Sequence, residues 1–87
     1  MRNTSASVLR RPVTEAMAKR WLGQNIRRLR KAAGLTQQQV ADAAELDLRH
    51  YQRAEHGQLN PKLSTLAALA NALGVDPTVL VSRPPRR

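Results

Sequence analysis

The 87-residue chain has room for one small domain with a modest hydrophobic core, and the absence of cysteine excludes disulfides and thiolate metal sites. Many alanine and leucine residues, few β-branched residues and no phenylalanine favour an all-α fold. The formal net charge of +9, from 15 lysine and arginine residues against 6 acids, indicates a polyanionic partner such as nucleic acid or an acidic membrane surface.

Most of the positive charge lies near the two ends of the chain. Residues 1–20 carry +4 and residues 83–87 carry +3, which leaves +2 for residues 21–82. Residues 1–13 lack helical periodicity, and two prolines prevent the last five residues from continuing a helix. We therefore expect a short flexible basic arm at 1–13, a folded domain at 14–82 and a flexible basic Pro/Arg tail at 83–87.

The first predicted helix begins after Thr14, which can cap it, and ends at Gly34. Its apolar positions recur at intervals of three and four residues and form one stripe: Ala18, Leu22, Ile26, Leu29 and Ala33. A later start near Trp21, with Gly23 tolerated inside the helix, is the alternative.

The next two predicted helices are short and lie close together along the chain. The second opens with a capping box, in which Thr36 is the cap and Gln39 stands three residues later. The third runs from a cap at Asp47 to about Glu55. Two consecutive short helices with a few residues between them predict a helix-turn-helix at about 37–56.

The third helix carries the strongest functional signal. If Tyr51 and Ala54 face the core, the opposite face presents four polar or basic side chains, which are Arg49, Gln52, Arg53 and His56. In a DNA major groove, arginine binds guanine and glutamine binds adenine through paired hydrogen bonds. A solvated helix face without a partner is the alternative interpretation.

Two further helices complete an all-α, compact five-helix domain. The fourth places its leucines and one alanine on a single stripe: Leu63, Leu66, Leu69, Ala70 and Leu73. Asp76 and Pro77 supply the cap and first-turn proline of a short fifth helix that ends near Val81. We expect Val79, Leu80 and Val81 to be core residues, with a dimer contact as the alternative.

The sequence does not support metal binding, catalysis or membrane insertion. His50 and His56 are separated by about 240° around a helix, so they cannot hold a metal ion from one face. We find no arrangement of a nucleophile, a base and an orienting group, and no stretch of the roughly 20 apolar residues that a membrane span requires. We expect no enzyme activity, no metal, no cofactor and no membrane partner.

Six short motifs occur in order between residues 22 and 81. They are Arg27-x-Leu29-Arg30, Gly34-Leu35-Thr36-Gln37, Val40-Ala41, Glu55-x-Gly57, Asn60-Pro61 and Ala70-x-Ala72-Leu73-Gly74-Val75. In this combination they resemble the Cro/CI-type (XRE) helix-turn-helix family of phage and bacterial repressors. The resemblance implies a lambda-repressor-like fold that binds double-stranded DNA, with the helix from Asp47 to Glu55 as its recognition helix.

The resemblance and the pattern of the third helix together give the candidate site residues. The base-reading candidates are Leu48, Arg49, Gln52 and Arg53. The phosphate-binding candidates are Gln37, Gln38, His56, Gln58, Asn60 and Lys62. Relatives also pair residues at the positions of Arg30 and Glu55, so we expect a structural ion pair between the first and third helices.

Four residues depart from the family's usual pattern, and one of them is Tyr51, which replaces the usual aliphatic residue and is expected in the core, with stacking on DNA as the alternative. Glu45 stands where relatives have glycine in the turn, and a left-handed conformation there would cost about 1 kcal/mol. Lys62 replaces the usual serine or threonine cap of the fourth helix. Leu48 is apolar where relatives are often polar, and either contacts a thymine methyl group or packs against the domain.

The sequence therefore predicts a cytoplasmic, nucleoid-associated transcriptional regulator that acts as a repressor. We expect a homodimer, since two recognition helices about 34 Å apart can enter successive major grooves. The leading alternative is an antitoxin or adaptor module that uses the same fold mainly to bind a protein partner. A general nucleic-acid binder that relies on its basic arms is a further alternative.

Overall fold

The computed structural model describes residues 12–86, which form five α-helices and no strand. The helices are α1 (Glu15–Ala32), α2 (Gln37–Ala43), α3 (Leu48–Glu55), α4 (Leu63–Leu73) and α5 (Pro77–Leu80). The predicted all-α, five-helix fold is confirmed. The predicted N-terminal arm, apart from its last two residues, lies outside the described residues. None of the helices at 12–86 is long and apolar enough to cross a bilayer.

Four of the five helices begin at a side chain that caps them. The capping box of α2 is complete, because Thr36 Oγ1 accepts from the Gln39 amide at 3.0 Å and Gln39 Oε1 accepts from the Thr36 amide at 2.8 Å. Thr14, Asp47 and Asp76 cap α1, α3 and α5 by accepting one backbone amide hydrogen bond each, without the reciprocal bond. Lys62 makes no side-chain cap at α4. The start at Thr14 is therefore correct, and the later start of α1 is wrong.

The turn between α2 and α3 is tight and left-handed at Glu45, whose φ is 59°. The turn is closed by a backbone hydrogen bond of 2.9 Å from the Leu46 amide to the Ala41 carbonyl. The Cβ of Glu45 makes this conformation unfavourable by about 1 kcal/mol relative to glycine. The hydrogen bond from Leu46 to Ala41 is one of the contacts that offset this cost.

The core consists of leucine, isoleucine, valine and alanine side chains from all five helices around the fully buried Tyr51. Three residues that were expected in the core or on apolar stripes lie outside it, and one of them is Val81, which is 40% exposed because it follows the last turn of α5. Leu63 is 83% exposed, because it stands in the first turn of α4 and at the edge of the stripe centred on Leu69. Ala33 is also exposed, since it follows the last turn of α1 as its C-cap.

Gly23 allows α1 to approach the end of α3 very closely. A Cβ at this position would lie 2.5 Å from the Glu55 carbonyl oxygen and 2.9 Å from the Ala54 carbonyl oxygen. Both distances are shorter than real Cβ contacts, and both neighbours are backbone atoms that cannot rotate away. The missing side chain at Gly23 therefore sets the distance between α1 and α3.

Asn25 joins the first helix to the last. It is fully buried, and its Nδ2 donates to the carbonyl oxygens of Leu80 at 3.0 Å and Ser82 at 2.8 Å. Directly beyond, the guanidinium of Arg83 lies over the Trp21 ring, 4.7 Å from its centroid. The predicted flexible tail therefore begins with a residue that contacts α1.

Candidate nucleic-acid interface

The two faces of α3 differ sharply in burial. Tyr51 and Ala54 are fully buried, as their spacing predicts. On the other side of the helix and at its C-cap, three basic residues are exposed and one glutamine is half-buried: Arg49, Arg53, His56 and Gln52. The structure thus brings the predicted polar face together on a helix whose opposite side is fixed in the core.

The base-reading candidates differ in how far they are already engaged. Arg49 is exposed near the start of α3. Arg53 is also exposed, but its Nη2 donates to the Gln58 carbonyl oxygen at 3.1 Å, in the loop that follows α3. Leu48 is half-buried and packs against the hydrophobic core. This packing agrees with one of the two alternatives for Leu48, and contact with a thymine methyl group stays a prediction.

Five of the phosphate-binding candidates are exposed and flank α3. His56, Gln58, Asn60 and Lys62 follow it in the α3–α4 loop, and Gln38 lies in the first turn of α2. Gln38 Nε2 donates to Asp42 at 2.8 Å, and Asn60 Nδ2 donates to Glu15 at 3.3 Å. Both contacts are exposed, and in each the acceptor is a carboxylate.

The expected ion pair between Arg30 and Glu55 is present beneath α3. Arg30 Nε lies 2.6 Å from Glu55 Oε2, and Arg30 Nη2 lies 3.3 Å from Glu55 Oε1. The two side chains are only 12% and 2% exposed. Glu55 also accepts from the Tyr51 hydroxyl and, at 3.0 Å, from Gln37 Nε2. The carboxylate is therefore buried with four hydrogen bonds from three different elements.

These contacts determine the protonation of the network. Burial opposes ionisation of Glu55, but hydrogen bonds from Arg30, Tyr51 and Gln37 outweigh it and hold the pKa of Glu55 below its ordinary value. The hydrogen bond with Glu55 raises the pKa of Arg30 despite burial. Burial, reinforced by the hydrogen bond to Glu55, raises the pKa of Tyr51. At neutral pH, Arg30 and Glu55 are charged and Tyr51 is a neutral donor.

Gln37 connects this buried network to the exposed face of α3. Its Nε2 donates to Glu55 at 3.0 Å, and its Oε1 accepts from Gln52 Nε2 at 3.0 Å. Gln37 was expected to bind phosphate, but both ends of its amide contact protein groups in this structure. Gln52 was expected to read bases, and it is held on one side by Gln37.

Residues 12–86 form no group of three or more histidine, aspartate or glutamate side chains that could hold a metal ion. The polar groups that the structure brings together are instead hydrogen-bond donors and acceptors on and below α3. Their chemistry fits recognition of a polar or anionic surface.

Sequence comparisons identify relatives over most of the described residues. The model of a family described as a helix-turn-helix domain matches residues 21–82. The chain is 42% identical to the immunity repressor protein of Bacillus phage phi105 over 60 residues, covering 69% of this chain and 42% of the repressor. It is 39% identical to the uncharacterized HTH-type transcriptional regulator y4dJ of Sinorhizobium fredii over 61 residues, covering 70% of this chain and 79% of the regulator.

Solved structures share the same arrangement of helices. The restriction-modification controller protein C.AhdI from Aeromonas hydrophila superposes with a TM-score of 0.68 at 37% identity, covering 71% of this chain and 94% of C.AhdI. The hypothetical transcription factor NHTF from Neisseria superposes with a TM-score of 0.75 at 30% identity, covering 82% of each chain.

Proposed function

The chain belongs to the helix-turn-helix family of DNA-binding transcriptional regulators, and we propose that it reads duplex DNA by placing α3 in the major groove. One observation carries this proposal. The polar and basic face of α3 points away from the core while Tyr51 and Ala54 hold its other face in place. The family consists of regulators rather than enzymes. The chain spans only 42% of the phage repressor's length, so repression itself is part of the proposal.

The exposed residues divide into two roles. Arg49 stands near the start of α3, where a recognition helix enters the groove most deeply, and we assign it to a guanine. Arg53 either reads bases or contacts the DNA phosphate backbone, since its guanidinium already extends to the loop that follows α3. The exposed residues of that loop and Gln38 bind phosphates, and these contacts strengthen binding to all DNA sequences alike.

Replacing Arg49 with alanine is expected to weaken binding to the preferred site by ~1–3 kcal/mol and to relax the preference at one base pair in each half-site. Binding to random DNA changes little, because a base contact contributes only on the correct sequence. Titrations of labelled duplexes with the preferred and scrambled sequences measure both effects.

Lys62→Ala is the matched control, because Lys62 is exposed at the start of α4 and its replacement also removes one positive charge. This variant is expected to weaken binding to every sequence equally and to reduce the salt dependence of binding slightly. If the two variants fold and behave identically across sequences, Arg49 does not read bases.

Selection of bound sequences from random duplex DNA at near-physiological salt tests the proposed function as a whole. Enrichment of an inverted repeat supports a sequence-specific regulator. No enrichment, together with a stable protein partner that co-purifies, would support the antitoxin or adaptor alternative, which the names of the relatives do not favour. Equal binding of all duplexes would support the general nucleic-acid binder.

A homodimer on a near-palindromic site is part of the proposal, because two copies of α3 can then enter successive major grooves. Val81, after α5, supports it. This valine is 40% exposed and borders a cavity of about 170 Å³ together with Leu66 of α4 and Leu22 of α1. The exposed Val81 and the half-buried Leu66 thus offer an apolar surface above the buried Leu22.

Val81→Lys is expected to raise the dimer dissociation constant about 10-fold or more, because a lysine charge would have to be desolvated in the contact. Sedimentation over a range of protein concentrations measures the change. Val13→Lys, at a valine that is 54% exposed before α1, is the control and should leave the constant unchanged. A protein that stays monomeric at all concentrations would contradict the dimer.

A regulator of this kind acts at the nucleoid, and we extend the proposal to a cytoplasmic location.

A further inference from the structure

We propose that the Arg30–Glu55 pair, acting through Gln37, holds the Gln52 amide with its oxygen toward the groove, so that Gln52 selects a base with an exocyclic amino group. This inference rests on the proposed placement of α3 in the major groove. Gln37 is then a positioning residue that determines specificity through Gln52.

The first step is the chemistry of Glu55. An ionised carboxylate can only accept hydrogen bonds, and Arg30 and Tyr51 already donate to this one. The side chain of Glu55 is 2% exposed, so water cannot substitute for a missing donor. Gln37, which approaches Glu55 Oε1 at 3.0 Å, must therefore present its Nε2 and not its oxygen.

The second step transfers this polarity to α3. Since Nε2 of Gln37 points to Glu55, its Oε1 points the other way, and it accepts from Gln52 Nε2 at 3.0 Å. Turning the Gln52 amide over would bring two carbonyl oxygens together at that distance, which is unfavourable. The oxygen of Gln52 is thus the amide atom that this series of hydrogen bonds leaves unused.

The third step is the base that such an oxygen can bind. In the major groove, adenine N6 and cytosine N4 donate hydrogen bonds, whereas guanine O6 and thymine O4 accept them. A freely rotating glutamine can turn its amide to suit either kind of edge. The second N–H of Gln52 Nε2 stays free beside the oxygen, and adenine can use both, since its N6 donates and its N7 accepts. With its oxygen held outward, Gln52 favours adenine or cytosine over guanine or thymine as the base that it contacts.

The experiment uses the full chain and its selected site. Gln52→Ala identifies the base pair at which preference relaxes, and that base is then replaced by an analogue without the amino group, purine for adenine or 2-pyrimidinone for cytosine. We expect the wild-type protein to bind the analogue site about 3- to 10-fold more weakly, the range for one hydrogen bond. Gln37→Met, which keeps the length of the side chain but not its polarity, should lose most of this discrimination.

Two controls separate positioning from general weakening. Gln38→Met changes the neighbouring exposed glutamine, which donates to Asp42 and is assigned to a phosphate, so it should weaken binding to all sequences alike and keep the full discrimination. In a Gln52→Ala background, Gln37→Met should cause no further loss of discrimination. If Gln37→Met unfolds the protein, Gln37→Asn provides the same test, because the shorter amide cannot reach both partners.

The inference is overturned if Gln37→Met weakens binding to all sequences equally and leaves the discrimination between the natural and the analogue site intact. It is also overturned if the wild-type protein binds the site with the amino-free analogue as tightly as the natural site, or if Gln52→Ala relaxes no base pair. These results would leave the proposed function in place. A wild-type protein that enriches no sequence would instead overturn both.

Discussion

Glu55→Ala is expected to lower the free energy of unfolding by ~2–4 kcal/mol, slightly less than the cost of breaking a fully buried ion pair. The variant leaves the guanidinium of Arg30 without its carboxylate partner. The side chain of Arg30 is only 12% exposed in the wild-type structure. It also removes the acceptor of the Tyr51 hydroxyl and of Gln37 Nε2. Urea denaturation followed by circular dichroism measures the loss.

Glu15→Ala is the matched control. Glu15 forms the other ion pair of residues 12–86, with Lys19 one turn later at 3.1 Å, but its side chain is 64% exposed. An exposed pair of this kind contributes about 0.3–0.5 kcal/mol. If Glu55→Ala and Arg30→Ala shift the unfolding midpoint no more than Glu15→Ala, the pair beneath α3 is only a surface contact.

The same pair makes stability depend on pH in acid. The pKa of Glu55 is lowered in the folded protein, so the stabilisation is complete above the pKa of an unfolded glutamate, ~4.3, and is lost as pH falls through the lower folded value. The wild-type protein should therefore lose more stability than Glu55→Gln between about pH 5 and about pH 3. Equal losses in the two proteins would show that Glu55 titrates normally.

Gly23→Ala is expected to destabilise the protein by ~1–3 kcal/mol, although alanine is favoured over glycine inside a helix by about 1 kcal/mol. The added Cβ would meet backbone carbonyl oxygens of α3 at 2.5 and 2.9 Å, so α1 and α3 must separate. Separation would stretch the contact between Arg30 and Glu55 as well. Thermal and urea unfolding both report the change.

Gln24→Ala provides the comparison, since Gln24 is the next residue of α1 and is exposed. It changes helix propensity without adding a contact and should leave stability within about 0.5 kcal/mol of the wild type. A Gly23→Ala variant that is as stable as Gln24→Ala, or more stable, would mean that α1 and α3 can part without cost.

Local interactions explain why so much of the fold was predictable from the sequence. Thr14, Thr36 and Asp47 each cap an amide only three residues later, so the residues that decide these helix starts are adjacent in the chain. The burial of Tyr51 and Ala54 also follows from spacing within one helix. Leu63 was misassigned because spacing defines a stripe but not where the packing against it ends.

The interior of the candidate site was less accessible to sequence reasoning. Arg30 and Glu55 are 25 residues apart, and only the family resemblance paired them. The roles of Gly23 and Gln37 depend on how closely α1, α2 and α3 approach one another, which no periodicity states. One feature of the sequence could have indicated the role of Asn25. It is a polar residue three positions after Leu22 within an apolar face, and such a position is typical of a buried hydrogen bond.

The contact that Asn25 makes with the end of the chain also bears on how the domain opens and closes. α5 has only four residues, too few to persist as an isolated helix, and its last carbonyl is held by a side chain 55 residues away. Closing so long a loop costs entropy, so this contact is expected to form late in folding. Because Leu80 is fully buried and its carbonyl accepts from Asn25, we expect the C-terminal end to resist fraying and to open mainly when α1 and α5 separate.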